Sequence, residues 1–302
     1  MVRTITLNDG KKIPALGWGN MHGEYAIKNC AEALKLGILH IDTAQAYKTE
    51  PESTQSMNEA GLKRDQVWVT TKISDFSKTK CTQEDVRRSV TESIERLGYI
   101  PDLILLHNPF LAGAGKSVTE FYGYVEELVK DGTLKGCSLG LSNFRPQDIE
   151  ELMKVATIKP VVNQIEYHPY VLTHLDAVMK LHEQHNIVVQ SYGPLTPLVR
   201  HPTGGPIKPI LTRIAERMSK ETGKHVDEAA VLLLWTMQKG AVALTSSSKD
   251  ERIKAFAETE NLPDLSKDEI DEIESAGRKV YFRHYKNHLT RDHPPPDLPQ
   301  DV

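Results

Sequence analysis

The stretch "TQEDVRRSVTESIERLGYIPDLILLH", residues 82–107, decides the fold. Thr82 caps a strong amphipathic helix, and "DLILLH" follows it as a short aliphatic strand. The same pair recurs in both directions. Upstream, "EYAIKNCAEALKLG" precedes "ILHID", and the helical "PESTQSMNEAGLKRD" precedes "QVWVTTKI". Downstream, "VTEFYGYVEELVKDG" precedes "GCSLGLS", "RPQDIEELMKVA" precedes "VVNQIEYH", and "HLDAVMKLHEQH" precedes "IVVQSYG". "DEAAVLLLWTMQKG" then precedes "AVALTSS", and the helix "KDERIKAFAETE" ends the rhythm. With a first strand near Pro14 to Gly17, about eight βα units fit the chain, the number that closes a (β/α)8 TIM barrel. An open doubly wound sheet is the alternative.

The chain's two ends depart from the rhythm. "RTITL", the turn "NDG" and "KKIPALG" predict an N-terminal β-hairpin. "SKDEIDEIESAGRK" predicts an extra helix outside the barrel. A Pro-rich acidic tail follows, extended from about residue 280 to 302. All 302 residues read as one domain.

A formal net charge of −4 argues against bulk nucleic-acid binding. No apolar run reaches the length of a membrane span, and the start lacks a signal-peptide pattern. Cys30, Cys81 and Cys137 are far apart and odd in number, which suits a reduced, cytoplasmic protein without disulfides or a zinc site. "GAGKS" at 113–117 resembles the end of a P-loop, but Phe110 stands where that loop needs its first glycine. "GWG" at 17–19 lacks the rest of a dinucleotide fingerprint. His284, His288 and His293 sit in a polar segment and read as solvated.

In a (β/α)8 barrel the C-terminal strand ends build the active site. The polar residues closing the successive strands are Asp42, Lys72, His107, Ser142 with Asn143, Gln164, Tyr192 and Ser246 to Ser248. Any one could be a solvated or capping side chain. Their convergence on one face is the specific signal. "HIDTAQAY", residues 40–47, adds Tyr47. A phenol holds its proton tightly, and a nearby ammonium lowers its pKa. Lys72 supplies the ammonium, and Asp42, one strand away, keeps it charged. Tyr47 is then a tuned general acid, and His107 can donate to a substrate oxygen and orient it. Protonating a carbonyl oxygen is half of a reduction. The other half is hydride, which implies a nicotinamide.

These motifs identify the chain as similar to the aldo-keto reductases over nearly its whole length. The match rests on "HIDTAQAY", "VTTK", "LILLH", "GLSNF", "VVNQIEYHPY", "QSYGPL", "LLLWTMQKG" and "SSSKDERI", in family order. The resemblance implies a cofactor extended across the barrel mouth and a tetrad of Asp42, Tyr47, Lys72 and His107. It implies that Ser142, Asn143 and Gln164 hold the nicotinamide carboxamide and that Tyr192 stacks on its ring. Gly19, Asn20, Gly193, Leu195 and Thr245 complete the cofactor cleft, beside Asp42. Residues 246 to 252, Ser246 among them, would meet an adenosine 2′-phosphate, gripped by Ser247, Ser248, Lys249 and Arg252. That charge pattern favours NADPH over NADH.

Departures from the family pattern set the substrate pocket. Many members carry Trp two residues after the lysine, Trp after the histidine, and Trp or Tyr after the first glycine loop. Here those positions are Ser74, Asn108 and Met21. The pocket is therefore expected to be wider and more polar, lined by Trp18, Met21, His22, Ser74 and Asn108. "YKTE" replaces the common "YGNE", bringing Lys48 beside the site. The "SSSKDER" variant and long tail are most like fungal α-keto amide and conjugated polyketone (ketopantoyl lactone) reductases. That likeness implies α-dicarbonyls, α-keto esters or cyclic diketones as substrates. A broad aldehyde or aldose reductase of xylose type is the alternative. Two further classes compete: a cofactor-binding regulatory subunit, and a Schiff-base aldolase using Lys72. Family analogy gives a monomer or weak dimer whose partner is a small carbonyl compound.

Overall fold

The computed structural model describes residues 2–21, 25–74, 81–112 and 117–285. The "GAGKS" glycines, His22, His288, His293 and the proline-rich end lie outside the described residues.

The hairpin forms as the turn signal requires, with β1 (Thr4–Thr6) antiparallel to β2 (Lys12–Pro14). The barrel strands follow as β3 (Leu16–Gly19), β4 (His40–Asp42), β5 (Trp68–Ile73), β6 (Leu103–Leu106) and β7 (Ser138–Ser142). β8 (Val162–Glu166), β9 (Val188–Tyr192) and β10 (Val242–Thr245) complete it. All eight pair in parallel, and β10 returns to β3 to close the barrel. Its first strand starts two residues later than the sequence suggested, because Pro14 still belongs to the hairpin.

The outer helices are α1 (Ala26–Lys35), α2 (Glu50–Ala60), α3 (Gln83–Leu97), α4 (Val118–Lys130), α5 (Pro146–Met153) and α6 (Asp176–His185). A short α7 (Thr196–Val199) and a long α8 (Lys208–Thr222) lie between β9 and α9 (Glu228–Gln238). α10 (Asp250–Glu258) follows the last strand, and α11 (Lys267–Gly277) is the extra helix. Thr82 caps α3 by accepting from the Asp85 N–H, while the Asp85 carboxylate takes the Thr82 N–H in return.

Strand alternation sorts the core into two layers. Ile41, Val69, Ile73, Ile104, Leu106, Leu139 and Leu141 pack outward in the cluster that includes the helices' apolar faces. Leu103, Leu105, Val162, Val242 and Leu244 form a second cluster, which hairpin residues Leu7 and Ile13 join. Gly17 faces this interior, where an added Cβ would lie 2.6 Å from Leu244 Cδ2 and 2.8 Å from His40 Nδ1. Its neighbour Trp18 therefore points to the helices and is only 2 % exposed.

The segment after α11 is not a loose tail at its start. Tyr281, Phe282 and Arg283 are buried. Arg283 pairs with the fully buried Glu166 at 3.3 Å, and the His284 and Tyr285 N–H groups donate to the same carboxylate at 2.9 and 3.3 Å. Burial lifts the Glu166 pKa, but His168 and Arg283 outweigh it and hold the group below its ordinary range. This strap brings Tyr285 to the barrel mouth.

Gly17→Ala tests the inward face of β3. Overpacking there is expected to cost about 1–3 kcal/mol, read as a lower urea midpoint with unchanged slope. An unchanged midpoint would contradict the orientation.

Candidate active site

The expected tetrad and carboxamide residues lie at or near the C-terminal ends of the strands or in the residues just beyond. Asp42 ends β4, Lys72 stands near the end of β5, and His107 follows β6. Ser142 ends β7, Gln164 lies in β8, and Tyr192 ends β9. The parallel register brings Gly19 beside Asp42 and Ser142 beside Gln164. Tyr47 comes from the short 3-10 turn Gln45–Tyr47 just past β4.

The centre is an ion pair between Lys72 Nζ and Asp42 Oδ1, 2.5 Å apart, with the lysine side chain fully buried. Lys72 also donates to the Thr43 carbonyl at 2.9 Å, and Gln164 Nε2 donates to the other Asp42 oxygen at 2.8 Å. Both carboxylate oxygens thus have donors, as a buried anion needs. Burial pulls the Lys72 pKa down, but Asp42 and Tyr47 outweigh it and hold the ammonium above its ordinary value. Burial lifts the Asp42 carboxyl against the pull of Lys72.

Lys72 Nζ lies 4.7 Å from the Tyr47 ring centre. The Tyr47 and His107 rings meet edge to face, 5.6 Å apart. The expected net lowering of the Tyr47 pKa is absent in the free protein. Burial raises it, Lys72 pulls it back, Asp42 adds to the rise, and the balance is upward. The phenol is therefore fully protonated at neutral pH.

A cavity of about 390 Å³ opens over this cluster. Asp42, Tyr47, His107, Ser142, Asn143, Gln164 and Tyr192 line one region, with Gly19 and Met21. Gly193, Leu195, Thr245, Ser246 and Arg252 continue the lining. Asn143 takes a left-handed backbone, φ 59°, a conformation that asparagine tolerates and that marks a constrained site. Its amide donates to the His107 carbonyl at 3.0 Å and accepts from the Tyr192 hydroxyl at 2.7 Å. Gly193 also has positive φ, and a Cβ there would strike Tyr285 at 2.7 Å.

Several expected residues sit elsewhere. Trp18 is buried in the barrel wall and does not line the cavity. Asn20 is buried too: its amide donates to Ser53, and its carbonyl accepts from Thr49. Ser247, Ser248 and Lys249 lie on the turn into α10, outside the cavity lining, with the Lys249 N–H on Ser247 Oγ. Lys48 is exposed. Asn108 uses its side-chain oxygen to accept the Phe110 N–H. Ser74 contacts His107 directly, as described below. The cavity adds Arg200, Phe256 and Tyr285, which strand-end reading missed. Arg200 stands in a long insertion after β9, and Tyr285 in a segment without helical or strand pattern.

Other chemistries fit poorly. A lysine held charged and fully buried by two oxygens is a poor Schiff-base nucleophile. The three cysteines are buried. Burial pushes Cys30 and Cys137 up to about 12. Among the described residues no cluster of His, Cys, Asp and Glu could hold a metal, and no helix is long and apolar enough to cross a membrane.

A parallel barrel with a charged lysine, a phenol and an imidazole at its mouth belongs with the barrel oxidoreductases. Residues 10–278 match the aldo/keto reductase family, and the chain belongs to it, a family that uses a nicotinamide cofactor. It is 32 % identical over 293 residues to a Saccharomyces cerevisiae protein named NADPH-dependent alpha-keto amide reductase, covering 90 % of each chain. It is 33 % identical over 267 residues to a Schizosaccharomyces pombe NAD/NADP-dependent indole-3-acetaldehyde reductase, covering 87 % of each. A Bombyx mori aldo-keto reductase solved in complex with NADP superposes with a TM-score of 0.78 at 25 % identity, covering 91 % of this chain and 92 % of that one.

Asp42→Asn leaves the buried ammonium unpaired. It is expected to cost about 3–5 kcal/mol at neutral pH. The sign of the pH response inverts. In the native protein the raised Lys72 pKa contributes stability below the unfolded value, lost as pH rises through the folded one. In the variant, burial depresses Lys72, so stability recovers as pH rises. Urea titrations between neutral and alkaline pH read both slopes, and parallel curves would contradict the assignment.

Proposed function

We propose that this chain reduces the carbonyl group of small aldehydes, ketones and α-dicarbonyl compounds with NADPH. The observation that carries the reading is the buried Lys72 ammonium, held by Asp42 against the ring of Tyr47 at the cavity wall. Bound nicotinamide supplies hydride, which no side chain can supply. Tyr47 passes its phenolic proton to the carbonyl oxygen as that oxygen gains charge. The Lys72 charge then stabilises the phenolate left behind, offsetting the burial that otherwise disfavours it. His107 donates a hydrogen bond to the same oxygen and orients it. Asp42 touches no substrate in this scheme and acts by keeping Lys72 charged.

The cleft suits the cofactor by its donor set. Ser142, Asn143 and Gln164 offer hydroxyl and amide groups for a carboxamide. Gln164 spends its N–H on Asp42, which leaves its carbonyl oxygen to accept from an amide. Tyr192 supplies a ring wall. Arg252, with Ser247, Ser248 and Lys249 beside it, is assigned to the 2′-phosphate, and Arg200 adds a cation for the diphosphate. The names of two relatives, one an α-keto amide reductase and one an aldehyde reductase, support carbonyl substrates of both kinds. Ser74 and Asn108 in place of tryptophans favour the more polar α-dicarbonyls. Broad aldehyde reduction is the second reading, favoured by the second relative. A cytoplasmic monomer or weak dimer is the expected form.

Rates of NADPH and NADH oxidation on simple aldehydes, aldoses, α-keto esters and cyclic diketones test the reading. Turnover of none of them would sink it and revive a regulatory role. Tyr47→Phe is expected to bind NADPH nearly as the native protein does and to lose more than about tenfold in kcat, ~1.4 kcal/mol of barrier. Retained turnover removes Tyr47 as proton donor. Arg252→Ala is expected to weaken NADPH far more than NADH, and equal weakening would take Arg252 out of the phosphate site.

A further inference from the structure

Ser74 stands where many family members carry tryptophan, and here it reaches the catalytic histidine. Its Oγ lies 3.2 Å from His107 Nδ1 and 3.0 Å from the Ala46 backbone nitrogen. Ala46 N–H can only donate, so Oγ accepts there. The hydroxyl still has one proton to give, and among the described residues His107 Nδ1 is the acceptor within its reach. An Nδ1 that accepts carries no hydrogen. With Nδ1 accepting, the ring proton of a neutral His107 sits on Nε2, and His107 lines the cavity.

Ser74 is itself held firmly. Its N–H donates to Gln45 Oε1 at 2.9 Å. The Gln45 amide nitrogen reaches the Ser89 carbonyl, the Ser89 hydroxyl and the Ser93 hydroxyl on α3 at 3.1, 2.9 and 2.9 Å. His107 is fixed from the backbone side, its N–H on the Ile73 carbonyl and its carbonyl on the Asn143 amide. Both partners of the Oγ–Nδ1 contact are thus anchored by separate elements, which is what a defined tautomer needs.

We infer that Ser74 is a positioning residue for reduction: its hydroxyl, donating to Nδ1, locks His107 in the Nε2–H tautomer that presents a donor to the substrate oxygen. The inference rests on the role given to His107 above. With the other tautomer, an Nε2 lone pair would face the carbonyl oxygen and repel it. A tryptophan, whose only polar group is a single N–H on a bulky ring, would have to hold the imidazole in some other way. The position therefore changes how the donor is set, besides opening the pocket.

The test is 15N NMR of histidine-labelled protein, with the His107 signals assigned by their loss in His107→Gln. The native spectrum should show Nε2 protonated and Nδ1 bare. Ser74→Ala should move His107 toward a tautomer mixture and lower kcat/KM about tenfold, the worth of one hydrogen bond, with NADPH affinity unchanged. Ser74→Thr, which keeps the hydroxyl, should restore both readouts. A native Nδ1–H tautomer, an unchanged spectrum in Ser74→Ala, or a shifted spectrum with native kcat/KM would each overturn the inference. The spectrum does not depend on turnover. A native protein inactive on every carbonyl strikes the proposed function, whereas an active one with an indifferent tautomer strikes only Ser74.

Discussion

The buried pair of Asp42 and Lys72 is the constraint around which the mouth of this barrel is arranged. Taking both charges out of water costs several kcal/mol for each ion, and only close contact and full hydrogen bonding repay that. The fold provides both. β4 and β5 are neighbours in the barrel, and each turns its charged residue inward near its C-terminal end. The Thr43 carbonyl and the Gln164 amide complete the pair. A lysine so held keeps its proton, and a phenol placed against it has somewhere to leave negative charge.

That constraint explains why so much was legible in the sequence. Period-2 alternation places His40 and Asp42, Thr70 and Lys72, Leu105 and His107, Gly140 and Ser142 two residues apart on one face. The upper member of each pair is polar and lies at or under the cavity, while of the lower ones Leu105 packs into the apolar interior and His40 and Thr70 bond to each other. Helix patterns with clear caps, such as the one opened by Thr82, supplied the rest of the rhythm. The closed barrel, the hairpin and the extra helix are all found where that rhythm predicts them, within a few residues.

What escaped the sequence depended on distant contacts or on balance between opposing effects. α8 carries Leu211, Ile214, Ala215 and Met218 at helical spacing, but the Pro- and Gly-rich run before it hides the insertion from local pattern. Trp18 was expected in the pocket, yet the inward place on β3 belongs to its glycine neighbours. The packing of Arg283 on Glu166 joins residues 117 positions apart, so nothing local signals that the tail is strapped to the mouth. The pKa of Tyr47 could not be signed from charge alone, since burial outweighs the lysine. Asn20, expected in the cofactor cleft, is buried with its side-chain amide on Ser53 and its carbonyl on Thr49, contacts that local pattern does not signal.

The free protein thus holds a phenol that is hard to ionise, beside an ammonium that favours its ionised form once the proton has gone. This is the behaviour expected of an acid that waits for developing negative charge on a substrate oxygen. Single-turnover reduction of an α-keto ester by Lys72→Met, with NADPH bound to saturation, tests that account most directly. A loss of more than about a hundredfold in the reduction rate, at near-native NADPH affinity, is predicted. A rate within about threefold of the native protein, with the same cofactor bound, would contradict the claim that the Lys72 charge drives proton donation by Tyr47.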